Sequence, residues 1–177
     1  MIAFHEVTPG HHLQLGVAQQ LDELPLLRRL GTITAYSEGW GLYTERLADE
    51  MGLYSDDLAR LGALAQDLLR ASRLVVDTGL HELGWSRQRA LEQMRASTVL
   101  SELEAASEVD RYLAIPGQAL SYLVGRLEIE RFREAARQRL GAEFDIRRFH
   151  DVVLGHGALP LSTLEFLVAD QLPATSR

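Results

Sequence analysis

The 177-residue chain contains no cysteine. That absence excludes disulfides, cysteine-ligated zinc and thiol nucleophiles together, and it leaves any bound metal to histidine and carboxylate. It also leaves the redox compartment open. Basic charge is short: there is no lysine, and 18 arginines stand against 25 acidic residues, a formal net charge of −7. No basic stripe stands out, which argues against a nucleic-acid or anionic-membrane partner. No apolar run reaches the length of a membrane span, and no signal peptide precedes the first motif. As the chain stands, the expected location is cytoplasmic. The chain begins almost on top of its most distinctive motif, however, so an N-terminal signal could be missing. Composition is otherwise ordinary for a soluble globular domain, with 46% apolar and 24% charged residues, and the length suffices for one domain, residues 1–177, with its own core.

Proline is also scarce, and its 5 copies fall at expected element boundaries. Between them Ala, Leu, Glu and Arg dominate with helical periodicity, which predicts an all-α, multi-helix domain. A first helical stretch is expected from about Ile2 to Leu21, interrupted at Pro9-Gly10. A second runs from about Thr32 to Glu50. A third, capped by Ser55 or Asp56, carries an apolar stripe of Leu58, Leu61, Ala65, Leu68 and Leu69 and ends near Gly84. Ser86 caps a short amphipathic helix. Ser101 caps the next, with Glu104 at capping-box spacing. Pro116 is placed to start a long helix to Gly141, and "DIRRFHDVVLGHG" and "PLSTLEFLVADQL" complete the set. No strand, repeat or linker is evident.

The opening stretch, "MIAFHEVTPGHHLQ", sets His5-Glu6 before a Pro-Gly and two histidines. Zinc hydrolysis needs two or three ligands, an open position for water and a carboxylate beside that water. The helical His-Glu-x-x-His pattern wants its second histidine four residues after the first, where this chain has Pro9. On a regular helix His5 and His12 share a face but lie about 10 Å apart along the axis, too far for one ion. His11 would point elsewhere. Pro9 cannot donate to the His5 carbonyl and clashes with it, so a kink or bulge is expected here, and Gly10 makes unusual backbone cheap. A bulge that absorbs two residues would let His11 act as second ligand. The plainer reading is a histidine cluster beside a helix break.

Four further groups have residue types and spacing that bear on chemistry. In "AYSEGWGLYTERLADE", Glu38 sits among Tyr36, Trp40, Leu42 and Tyr43, where a carboxylate needs a partner; Glu45, two turns on, is the weaker candidate. An ordinary exposed Glu is the alternative. Arg73, Asp77 and His81 recur at i, i+4 spacing. Asp77 could orient His81, and His81 could donate to a developing oxyanion. A surface salt-bridge ladder explains the same spacing. Tyr122, followed by Gly125, offers a hydroxyl donor or is simply a core tyrosine. His150, Asp151 and His156 lie on what reads as a packing helix, with His156 at its C-terminal end.

Taken in order, "HEVTPGHHLQ", "AYSEGWGLYTERLADEMGLY", "RLVVDTGLHELGWS", "RYLAIPGQALSYLVGRLEI" and "FHDVVLGHGALPL" resemble the bacterial domain-of-unknown-function family 885 over nearly the whole chain. Members of that family are usually much longer, so this chain corresponds to the C-terminal, motif-bearing part. The family is similar to helical zinc metallopeptidases of the gluzincin type, such as carboxypeptidase Taq and peptidyl-dipeptidase A. The resemblance implies a metallopeptidase-like domain with a kinked or bulged active-site helix. It implies zinc held by His5, His11 and Glu38, with Glu6 as general base and Tyr122 and His81 as looser oxyanion assistants. Short peptides are the implied substrates. The alternatives are a catalytically inactive fragment or helical interaction domain retaining a partial metal site, and a metal-dependent hydrolase of non-peptide amides or esters. An apolar face left open by truncation could drive self-association.

Overall fold

Helix-forming composition and few breakers yield helices throughout. In a computed structural model that describes residues 1–173, α1 (Ile2–Glu6), α2 (His11–Gln19), α3 (Leu26–Leu30), α4 (Thr34–Glu50) and α5 (Asp57–His81) come first. They are followed by α6 (Arg87–Ser97), α7 (Glu102–Ala114), a 3-10 turn at Gln118–Leu120 and α8 (Ser121–Leu140). A second 3-10 turn at Gly141–Glu143 leads to α9 (Ile146–Leu154) and α10 (Leu161–Gln171). No strand occurs among the described residues, in agreement with the all-α expectation. The side-chain caps form as the sequence indicates: Asp56 accepts from the Ala59 amide, Ser86 from that of Arg89, and Ser101 and Glu104 close a reciprocal capping box.

The central pair is α4 and α8. They cross where two glycines meet: a Cβ on Gly39 would lie 2.5 Å from the Gly125 Cα, and one on Gly125 would lie 1.9 Å from the Ala35 carbonyl oxygen. Gly125 thus makes room for a neighbouring helix. Below the crossing, Tyr36, Trp40 and Tyr43 of α4 pack with Ile129 and Phe132 of α8, Phe149 and Val153 of α9, and Leu164 of α10. A second core joins Leu69, Val76 and Leu80 of α5 to Met94 of α6 and to Val109 and Tyr112 of α7.

Three expectations need correction. The first helical stretch is not one bulged helix: α1 ends at Glu6, residues 7–10 are non-helical, the Thr8–Pro9 peptide bond is cis, and α2 begins at His11. Gly10 takes an uncommon backbone conformation, as expected, with φ −75° and ψ −139°, and it also supplies space, because a Cβ there would meet the His5 carbonyl oxygen at 1.8 Å. Pro116 precedes a turn at Gly117 (φ 80°) and a 3-10 segment rather than opening α8. The leucine stripe of α5 enters the core only at Leu69. Leu58, Leu61 and Leu68 are 77%, 61% and 45% exposed, and Leu61 borders a cavity shared with Glu45 and Tyr54 rather than entering the core.

Candidate metal centre

The break after Glu6 turns the chain back on itself, and α4 holds the turn in place. The Trp40 indole Nε1–H donates to the Pro9 carbonyl at 2.9 Å, and the Thr44 hydroxyl donates to the Phe4 carbonyl at 2.8 Å. Gly41 leaves room on α4 for the His5 ring, since a Cβ there would sit 2.7 Å from its Nε2. His5 and His11 consequently meet edge to face, their ring centroids 4.8 Å apart. Glu38 reaches both: its Oε2 lies 3.4 Å from His5 Nε2 and 3.5 Å from His11 Nε2. One ligand atom from each of His5, His11 and Glu38 falls within 4.8 Å of the others.

These separations suit a metal. Ligands bonded tetrahedrally to zinc at about 2.0–2.1 Å stand about 3.3 Å from one another, close to the two Glu38 distances. The two histidines also present the right nitrogens. His5 Nδ1 donates to Glu45 Oε1 at 2.8 Å, and His11 Nδ1 faces Gln14 Oε1 at 3.2 Å, so both Nε2 atoms point to the shared space. His12, the other histidine of the pair, is exposed.

Electrostatics bind the cluster tightly. Burial disfavours a charged His5, yet the carboxylates of Glu38 and Glu45 outweigh it and raise its pKa to about 9. The Glu38 hydrogen bond raises His11 against burial. Burial pushes the Glu38 carboxyl up, but His11 and His5 bring it down to about 2. Protons and a metal cation therefore compete for the same Nε2 atoms.

The other residues singled out from sequence divide. Glu6 ends α1 next to His5, exposed to solvent. The Tyr122 ring stacks against His5, centroids 6.4 Å apart and planes at 30°, while its hydroxyl turns to Arg111 and Gln118. His81 is exposed at the end of α5, its Nε2 3.1 Å from the Tyr112 carbonyl. The Arg73–Asp77–His81 ladder does not form: Arg73 pairs with Glu108, and Asp77 accepts the Gly117 amide. Each side chain has a partner on another element, which outcompetes an exposed i, i+4 contact. His150 and His156 are structural. The His150 Nε2 meets the Tyr43 hydroxyl at 2.7 Å, and His156 Nδ1 lies 3.0 Å from the Val152 carbonyl.

Sequence reasoning placed Glu45 on the right face and gave it the wrong task. It is the buried carboxylate behind His5, the arrangement expected instead for Asp77 and His81. Gln14 was missed altogether, although its i+3 spacing from His11 was visible. A cavity of about 450 Å³ is lined by Glu45, Tyr54, Leu61, Leu64 and Asp67, among others, but by none of His5, His11 and Glu38.

The family model described as "Bacterial protein of unknown function (DUF885)" matches residues 1–168. No curated protein matches the chain. Among solved structures it is similar to "the putative lipoprotein from Colwellia psychrerythraea", with 46% identity, a TM-score of 0.94 and 97% of this chain covered. It is also similar to "a putative lipoprotein of unknown function from Shewanella oneidensis", with 28% identity, a TM-score of 0.84 and 94% covered. The chain spans only 29% and 30% of those two proteins. Neither neighbour supports the cytoplasmic expectation. Among the described residues no helix is long and apolar enough to cross a membrane, as the sequence indicated.

Proposed function

This chain belongs to the bacterial family DUF885, and on that premise we propose that its His5–His11–Glu38 cluster holds a zinc ion serving peptide-bond hydrolysis. The observation that carries the reading is the convergence of two Nε2 atoms and one carboxylate oxygen within 4.8 Å, with His5 fixed from behind by buried Glu45. Two histidines and one glutamate are a donor set that leaves a fourth position open. Zinc bound there supplies a Lewis acid for the scissile carbonyl and lowers the pKa of its water to about 7.

The chain's own residues do the rest. Glu6, beside the ligand His5 and open to solvent, takes the proton from water as oxygen adds to the carbonyl carbon. It then delivers that proton to the amide nitrogen as the C–N bond breaks, giving a carboxylate and an amine. Glu45 keeps the His5 ring in the tautomer that offers Nε2. Tyr122 forms a wall against His5. His81 is given no part, because it is exposed and engaged with the Tyr112 carbonyl.

Short peptides are the proposed substrates, and the resemblance to helical zinc metallopeptidases supports them over other amides or esters. The rival reading is an interaction domain with a retained but idle site, favoured by the exposed leucines of α5. The decisive experiment pairs elemental analysis with peptide hydrolysis by the wild type and Glu6→Gln. One zinc per chain in both proteins, with hydrolysis lost in the variant, supports the peptidase. Equal rates, or no stoichiometric metal, sink it.

The two neighbours, each described as a "putative lipoprotein", support an envelope location for the whole protein. Recovery of the full-length protein in the soluble cytosolic fraction, without lipid label, would overturn this.

A further inference from the structure

We propose that the cavity bordered by Glu45, Asp49, Asp57, Asp67, Leu61 and Leu64 binds an organic cation, a guanidinium or ammonium group on a short apolar stem, and that its occupant loosens the metal held by His5. None of His5, His11 and Glu38 lines this cavity, and the proposal stands whether or not the protein cuts peptides. The volume of about 450 Å³ is that of a small-molecule pocket. Leu61 and Leu64 of α5 are exposed, so an apolar stem finds a wall that solvent reaches. Glu45 joins the cavity to the metal centre, because its Oε1 accepts from His5 Nδ1, the ring nitrogen opposite the metal-facing Nε2.

The carboxylates around the cavity are not all matched. Asp49 pairs with Arg60 at 3.0 Å, and Asp67 pairs with Arg126 at 2.6 Å. Glu45 keeps an open acceptor: it is 3% exposed, and its Oε2 is buried with no hydrogen-bond partner. Leaving a buried carboxylate oxygen without a donor is costly, and a ligand N–H relieves that cost. Arg70 attracts Glu45 from outside the cavity, but it donates to Gln66 Oε1 at 2.7 Å. The field inside is negative. Tyr54 lines the cavity, and its hydroxyl donates to the Glu45 carbonyl at 3.1 Å. Burial pushes the Tyr54 hydroxyl up to about 12, and Glu45, Asp49 and Asp67 push the same way against Arg46. A metal ion does not suit this wall. Among the described residues, the side chains whose ligand atoms converge on one point are His5, His11 and Glu38. A guanidinium does suit it, with several N–H donors, weak hydration and a charge that needs no close ligand shell. The coupling runs through one carboxylate. Glu45 raises the basicity of the metal-facing nitrogen of His5, and a cation on Oε2 draws charge away from that ring. Tyr54 gives a second route, since its ring meets that of Phe4 edge to face at 5.6 Å, next to His5.

The test uses butylguanidinium, a cation that does not coordinate zinc, and butylurea, its neutral isostere. In calorimetry on the zinc-free protein the cation should bind about tenfold or more tightly than the urea. Leu64→Trp, at an exposed position, places a large ring in the cavity and should abolish this binding while the helical circular dichroism stays unchanged. Glu45→Gln should remove most of the preference for the cation. Saturating butylguanidinium should weaken zinc binding about fivefold or more in the wild type, read by competition with a chromogenic chelator, and leave Leu64→Trp unaffected. A second pair, N-acetylarginine amide and N-acetylcitrulline amide, identifies the source of the cation. The same preference in this pair makes the occupant a basic side chain of a peptide, and its restriction to butylguanidinium makes the occupant a free small molecule. No binding, equal binding of butylguanidinium and butylurea, or binding that survives Leu64→Trp overturns the site. A zinc affinity indifferent to the bound cation overturns the coupling.

Discussion

The Glu45 carboxylate holds His5 Nδ1 at 2.8 Å across forty positions of sequence, and only 3% of its surface is exposed. A carboxylate so placed fixes the ring and raises the basicity of the opposite nitrogen. Replacing Glu45 by Gln keeps the shape and removes the charge. Zinc affinity should fall about 10- to 100-fold, as read by competition with a chromogenic chelator. An unchanged affinity would remove Glu45 from the metal site.

Glu6 acts on water, so its loss should spare the metal. Glu6→Gln is expected to bind zinc as tightly as the wild type while hydrolysis drops about 10²- to 10⁴-fold. Stopped assays on a fluorogenic peptide, with zinc content measured on the same sample, check both halves.

The α4–α8 crossing depends on its missing side chains. Gly125→Ala puts a Cβ 1.9 Å from the Ala35 carbonyl oxygen, and the helices must separate. A loss of about 1–3 kcal/mol is expected. Gly62, in α5, has open space where a methyl group would stand, with nothing within 4 Å, so Gly62→Ala should gain about 0.5–1 kcal/mol. Urea unfolding of the two variants should move in opposite directions.

His150 makes stability depend on pH. Burial, aided by Arg133, lowers its pKa to about 4, below the ordinary 6.5. Between those values the unfolded chain takes up a proton that the folded ring refuses. The stabilisation is therefore whole above pH 6.5, shrinks as pH falls towards 4, and changes no further below. Its size is on the order of 2 kcal/mol, allowing for the partial exposure of the ring. The stability difference between wild type and His150→Asn, followed by urea unfolding from pH 7.5 to 4, should narrow by that amount. A constant difference would falsify the assignment.

Much of this architecture was legible in advance because its signals are local. Ser86, Ser101 and Asp56 mark helix starts by hydrogen bonds that span three residues, and the sequence displays both ends of each. The chain break at Pro9-Gly10 also followed from local chemistry, whereas the choice of His11 over His12 rested on the family resemblance. The five-residue α3 escaped notice because it lacks a side-chain cap and is too short to show a period. Glu45 was misassigned because its role depends on α1 folding back over α4, a contact that spacing within α4 cannot reveal. Arg73 and Asp77 failed the same way: i, i+4 geometry allowed a ladder, and partners on distant elements prevailed.

The short break at residues 7–10 has a consequence for when the ligands exist as a set. His5 and His11 stand on separate short helices, and the fastenings described for this segment, at Phe4 and Pro9, run to Thr44 and Trp40 of a single helix. The first fourteen residues therefore work as a clasp closed on α4. Opening it scatters the donors and uncovers Glu45 in one motion, so release of an ion and fraying of the N-terminus become a single event. Amide exchange across Ile2–Gln14 should slow when zinc is added and quicken when a chelator takes it away.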